Sequence, residues 1–99
     1  MDESTAQHPG YIENKEKVKN RLRRISGQIG GIERMVDEER YCIDILTQIS
    51  AAQAAIDKVA LALLDEHTRH CVVGAENPET RVEKTEEMME AVGRLLKSR

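Results

Sequence analysis

Cys42, His67 and Cys71 are the side chains of this sequence whose types and spacing point to shared chemistry. His67 and Cys71 stand four residues apart, a spacing that sets both on one face of a helix. Cys42 precedes His67 by 25 residues, and the stretch from Tyr41 to Cys71 holds no glycine or proline. Read as one helix, that stretch separates Cys42 from His67 by roughly 38 Å along its axis. One chain cannot close such a gap. A second copy running antiparallel can, because it sets its own Cys42 beside the His67/Cys71 end of the first. A two-fold dimer would then carry two identical sites, each with one cysteine from one chain and a His/Cys pair from the other.

Two thiolates and an imidazole are a soft three-donor set. Cu(I) favours soft sulfur donors at low coordination number, whereas Ni(II) and Co(II) prefer more nitrogen or oxygen. Zn(II) ordinarily takes four ligands and would need one more. Taken singly, Cys42 and Cys71 also read as small core residues, and His67 as a hydrogen-bonded histidine at a helix end. Their joint spacing is what points to a metal. His70 projects about 100° away from Cys71 around a helix, and His8 lies in a polar tail; neither is placed as a ligand.

The elements that must position these residues are helical. From Lys15, apolar residues recur at Val18, Leu22, Ile25, Ile29, Ile32 and Val36, the period of an amphipathic helix. Asp37-Glu38-Glu39-Arg40 interrupts that stripe and predicts a tight corner. A second helix is predicted from about Cys42 to Val72, with Ile45, Ile49, Ala52, Ile56, Val59 and Leu63 on one face and Gly74 as its stop. Asn77-Pro78-Glu79 supplies a capping residue, a proline at the first helical position and an acid in the first turn. A third helix follows, with Val82, Thr85, Met89, Val92 and Leu96 on one face. Residues 1–13 carry no periodicity and read as a disordered N-terminal arm, leaving 14–99 as a helical domain. The fold class is all-α, with three helices per chain.

Composition narrows the function. The chain has 99 residues, two tyrosines and no Trp or Phe, too few large side chains for an ample core of its own. A helical domain that completes its core by association is expected. The net charge of -3 hides a strip of Lys15, Lys17, Lys19, Arg21, Arg23 and Arg24 that holds a single acid, Glu16. Screening beyond roughly 8 Å lets such a strip bind phosphates on an acidic protein. Two cysteines make no disulfide framework, and in a reducing compartment such a pair binds metal or does redox work. No apolar run is long enough for a membrane, and the chain is expected in the cytoplasm. No acid–base–nucleophile set exists beyond the candidate ligands, so neither enzyme activity nor a small-molecule substrate is expected.

The run from Tyr41-Cys42 to Ser50-Ala51, followed by His67 and Cys71, resembles the copper-sensing operon repressor family, the CsoR/RcnR-type regulators. The likeness spans about residues 15 to 95 and includes Asn20-Arg21-Leu22 and Gly27-Gln28. It implies antiparallel dimers with a four-helix bundle core that pair into tetramers. It also implies operator DNA bound by the metal-free protein and released on Cu(I) binding, which frees copper-efflux genes. By position, Cys42, His67 and Cys71 would be the Cu(I) ligands, with Tyr41 and Glu87 connecting that site to the rest of the fold. Choosing Glu87 over its neighbour Glu86 rests on the resemblance alone. DNA contacts would fall to Arg21 and Lys58, with Lys15, Lys17, Lys19, Arg23 and Arg24 adding phosphate contacts. Lys58 keeps the charge without arginine's planar fork. A thiol-based persulfide or redox sensor of the same fold is the alternative, and a helical interaction protein with no DNA role is a third reading.

Overall fold

The computed structural model describes residues 11–97, and His8 lies outside them along with the first ten positions of the predicted arm. A single 3-10 turn, Ile12–Asn14, leads into α1 (Lys15–Asp37), α2 (Cys42–His67), a π-turn (Thr68–Val73) and α3 (Pro78–Lys97). No strand occurs among the described residues. By its internal contacts the chain divides into residues 14–62, holding α1 and most of α2, and a second unit whose main part is residues 63–97, holding the end of α2, the π-turn and α3, with residues 11–13 grouped with it.

In the first unit, α1 begins at Lys15 and runs 23 residues on the predicted period. Its end is closed by backbone alone. Glu39 takes a left-handed conformation (φ 56°). The Arg40 N–H donates to the Met35 carbonyl at 2.9 Å, and the Glu39 N–H to the Val36 carbonyl at 3.0 Å. That pair of bonds is a Schellman motif, with glutamate where glycine is usual. The predicted corner at residues 37–40 is therefore a helix stop. The Tyr41 carbonyl then accepts from the Asp44 and Ile45 N–H groups and opens α2.

Only part of each apolar stripe is covered. Val18 and Ile25 of α1 and Ala52 and Val59 of α2 are buried. Leu22, Ile29 and Val36 of the same α1 stripe remain 48%, 53% and 59% exposed. A single chain this short cannot enclose both faces of its helices. An apolar stripe left uncovered in this way is the kind of surface that association with another chain buries.

The second unit departs from the predicted regular helix. The α-ladder stops at His67, and residues 68–73 continue with the wider i→i+5 winding. At the junction, the Thr68 hydroxyl donates to the Leu64 carbonyl at 2.9 Å, competing with the backbone ladder. Gly74 ends the run as predicted, but its φ of −81° is an ordinary one. Space explains the glycine instead, since a Cβ there would lie 2.9 Å from the His70 carbonyl oxygen. After it, Asn77 caps α3, its Oδ1 accepting from the Thr80 N–H at 2.8 Å. The π-turn and α3 pack together.

Candidate metal centre

His67 and Cys71 converge on one segment of α3. The His67 Nε2 lies 3.3 Å from the Lys84 carbonyl oxygen. A carbonyl only accepts, so Nε2 is the donor in this contact, and Nδ1 is the ring nitrogen left to bind a metal. Cys71 is buried at 6% exposure. Burial pushes its thiol up, the Lys84 ammonium pulls it back down, and the Glu87 carboxylate pushes it up again. Lys84 and Glu87 also pair with each other, Nζ to Oε1 at 3.4 Å. One backbone carbonyl, one ammonium and one carboxylate of α3 thus bear on the two soft side chains.

Between the two acids that the sequence left open, Glu87 is the one whose charge reaches Cys71. His70 turns to Glu66, with Nε2 3.1 Å from Oε1, and takes no part in this cluster. Lys84 escaped the sequence reading because it sits in an alternating run, Glu83-Lys84-Thr85-Glu86-Glu87, that looks like a solvated face. Its spacing of three from Glu87 was the available signal.

Cys42 and Tyr41 stand at the other end of α2, in residues 14–62, and both are exposed. Among the described residues, no group of three or more His, Cys, Asp or Glu side chains could hold a metal ion. The three candidate donors are thus a buried Cys71, a half-buried His67 and, at the start of α2, an exposed Cys42. That set suits a soft cation shared between two copies.

Three of the seven basic candidates form a second cluster. Arg21, Arg24 and Lys58 line one groove of residues 14–62, with Gln28 beside them and Ile25, Ala54, Ala55 and Ala62 among its apolar wall. Arg23 is turned toward Asn20, its Nη1 donating to Oδ1 at 2.8 Å, and Lys19 approaches Glu16 at 3.8 Å. Lys15 and Lys17 are exposed on the same helix. No helix among the described residues is long and apolar enough to cross a membrane.

The family described as metal-sensitive transcriptional repressor matches residues 14–94. The copper-sensing transcriptional repressor RicR of Mycobacterium tuberculosis is 49% identical over 96 residues, which cover 95% of this chain and 99% of that protein. Among solved structures, the copper-sensing repressor CsoR with Cu(I) from Geobacillus thermodenitrificans is 42% identical. Its TM-score is 0.79, and the match covers 85% of this chain and 88% of that one. The nickel-responsive transcriptional regulator InrS is 38% identical with a TM-score of 0.69, over 80% of this chain and 89% of that one.

Proposed function

The chain belongs to the metal-sensitive transcriptional repressor family, the CsoR/RcnR-type regulators, and from that premise we propose that it is a Cu(I)-responsive repressor. Metal-free, it binds operator DNA; with Cu(I) bound it lets go, and copper-efflux genes are transcribed. Membership places the chain among regulators and not among enzymes.

The observation that carries the metal assignment is the pairing of a buried Cys71 with a His67 whose Nε2 is already engaged by the Lys84 carbonyl. That bond fixes the ring and leaves Nδ1 as the donor. Cys42, exposed at the start of α2, supplies the second thiolate to the partner copy of an antiparallel dimer. Cu(I) supplies a soft Lewis acid that holds two thiolates and an imidazole together. The nickel-responsive relative marks the competing assignment, and two sulfur donors with one nitrogen weigh against it.

The residues of this chain do the rest. His67 and Cys71 are tied to α3 through Lys84 and Glu87, so a change at these two is felt along the third helix. Tyr41, at the exposed start of α2, is the further proposed link between the centre and the fold. Arg21 and Lys58 face one groove and present positive charge to the operator backbone, joined by Arg24. Lys15, Lys17, Lys19 and Arg23 extend this surface along α1. The apolar faces left uncovered are buried by assembly into dimers and then tetramers. The conformer preferred by the metal must be the one with the weaker grip on DNA, a coupling of roughly 1–3 kcal/mol in such systems. The protein works in the cytoplasm.

Anaerobic titration on promoter DNA tests this reading, with DNA release and bound metal measured together. Cu(I) should release the DNA at one equivalent per chain, and Ni(II) should not. Cys42→Ala and Cys71→Ala should bind the operator as the parent does and stay bound when Cu(I) is added. Release of both variants by Cu(I), or release of the parent by sulfide or peroxide without copper, would overturn the assignment.

A further inference from the structure

Lys84 is unlike the other ion-paired cations. Its side chain is only 19% exposed, whereas Lys19, Arg40 and Arg69 in their pairs are 47%, 51% and 69% exposed. Lysine ordinarily carries its ammonium out to water along a flexible stem. An exposed pair spaced by three on a helix adds only a few tenths of a kcal/mol, which is little reason to hold a lysine in. The direction in which Lys84 is held gives the reason. Its ammonium stays at 3.4 Å from Glu87 and bears on the buried Cys71 thiol, and its carbonyl receives His67.

We infer that Lys84 is the charge-balancing and positioning residue of the metal centre, its carbonyl orienting His67 and its ammonium offsetting the negative charge that the occupied centre accumulates. The inference rests on the copper reading and deepens it. Two thiolates, one Cu(I) and a neutral imidazole sum to one negative charge. The Glu87 carboxylate beside them makes two. In a partly buried place such charge is poorly screened, and a single ammonium within reach halves it. In the metal-free protein the same ammonium is neutralised by Glu87 alone, so both states keep a partner for it. Lys84 therefore favours the occupied centre by its charge and the orientation of His67 by its backbone, and these two roles separate by mutation.

Lys84→Met removes the charge while keeping the stem and the backbone carbonyl, and Lys84→Arg keeps the charge. Cu(I) affinity is read anaerobically by competition with a chromogenic Cu(I) chelator, and metal-free stability by the denaturant midpoint. Lys84→Met should bind Cu(I) at least about ten-fold more weakly than the parent, with Lys84→Arg restoring most of the loss. Both variants should unfold, metal-free, near the parent midpoint. Equal Cu(I) affinity in Lys84→Met and the parent would overturn the inference and leave the copper reading standing. So would failure of arginine to rescue, or a metal-free midpoint that falls in step with the affinity, since either assigns Lys84 to structure. A parent that fails to bind Cu(I) at all would remove the copper reading and this inference with it.

Discussion

Residues 63–97 turn the chain onto itself. The end of α2 and the π-turn meet α3 through His67 on a backbone carbonyl, Thr68 at 3.2 Å from the Met88 sulfur, and Cys71 beside Lys84 and Glu87. Residues 14–62 do the reverse. Their buried positions are few and small, and half of the α1 stripe faces outward beside a groove walled largely by alanines. Cys71 lies buried in the first of these regions and Cys42 exposed in the second. One region sets His67 and Cys71 against α3 by its own contacts, while the other leaves its cysteine and part of its apolar stripe exposed, as the proposed sharing with a second copy requires. The shared-site proposal follows from that difference more than from any single distance.

If that contrast is right, the largest effect should come from spoiling the outward stripe. Ile29, 53% exposed in the single chain, is its middle residue. Ile29→Glu should dissociate the assembly, raising the dimer dissociation constant at least about 100-fold. A two-fold interface uses the residue twice, and each carboxylate would have to be desolvated. Analytical ultracentrifugation reads the mass, and circular dichroism should show the helices largely retained. An unchanged mass would place Ile29 outside the interface and weaken the contrast.

A smaller effect, confined to the other region, should follow from Gly74→Ala. The added methyl would sit 2.9 Å from the His70 carbonyl oxygen, a backbone atom that cannot swing aside. The π-turn must shift, at a cost of about 1–3 kcal/mol. The denaturant midpoint should fall while the mass stays that of the parent. Loss of assembly with no loss of stability would mean that the two regions are not separable in this way.

How much of this could be read beforehand depends on how local each cause is. The start of α1 at Lys15, the Asn77 cap and the stop at Gly74 are written in adjacent residues, and the structure has them in place. The same residue periods set the stripes of α1 and α2, where Val18, Ile25, Ala52 and Val59 are buried, but on α3 the predicted Val82, Met89 and Leu96 stay exposed. They could not say which positions would be covered within one chain, because that depends on how the helices pack and not on the period of any one of them. The π-turn was missed. It arises where Thr68 contests the Leu64 carbonyl and where α3 packs alongside, and neither condition leaves a mark in hydrophobic period. Lys84 was missed for a related reason. A cation flanked by acids looks solvated until α3 is seen against Cys71, when its exposure drops to 19%. The placing of Cys42 at one end of α2 and of His67 at the other, by contrast, was legible, because it is a separation along one helix; their sharing of a metal remains the proposal.

The smallest effect tests whether local terms in residues 14–62 are independent of assembly. Glu39 occupies the left-handed position of the α1 stop at φ 56°. A residue with a Cβ gives up roughly 1–2 kcal/mol there, and glycine does not. Glycine also widens the unfolded ensemble, which takes back roughly 0.4–1 kcal/mol. Glu39→Gly should therefore stabilise the chain, by about 0.5–1 kcal/mol once both terms are counted. The bonds that close the corner are backbone bonds from Glu39 and Arg40, so the substitution keeps them. Placed in the Ile29→Glu background, it should give the same increment, since distant independent sites add within a few tenths of a kcal/mol. Denaturant midpoints of the four proteins in that cycle measure it. An increment that vanishes on dissociation would mean that the corner is set by the neighbouring copy, and that residues 14–62 depend on assembly even for the joint between α1 and α2.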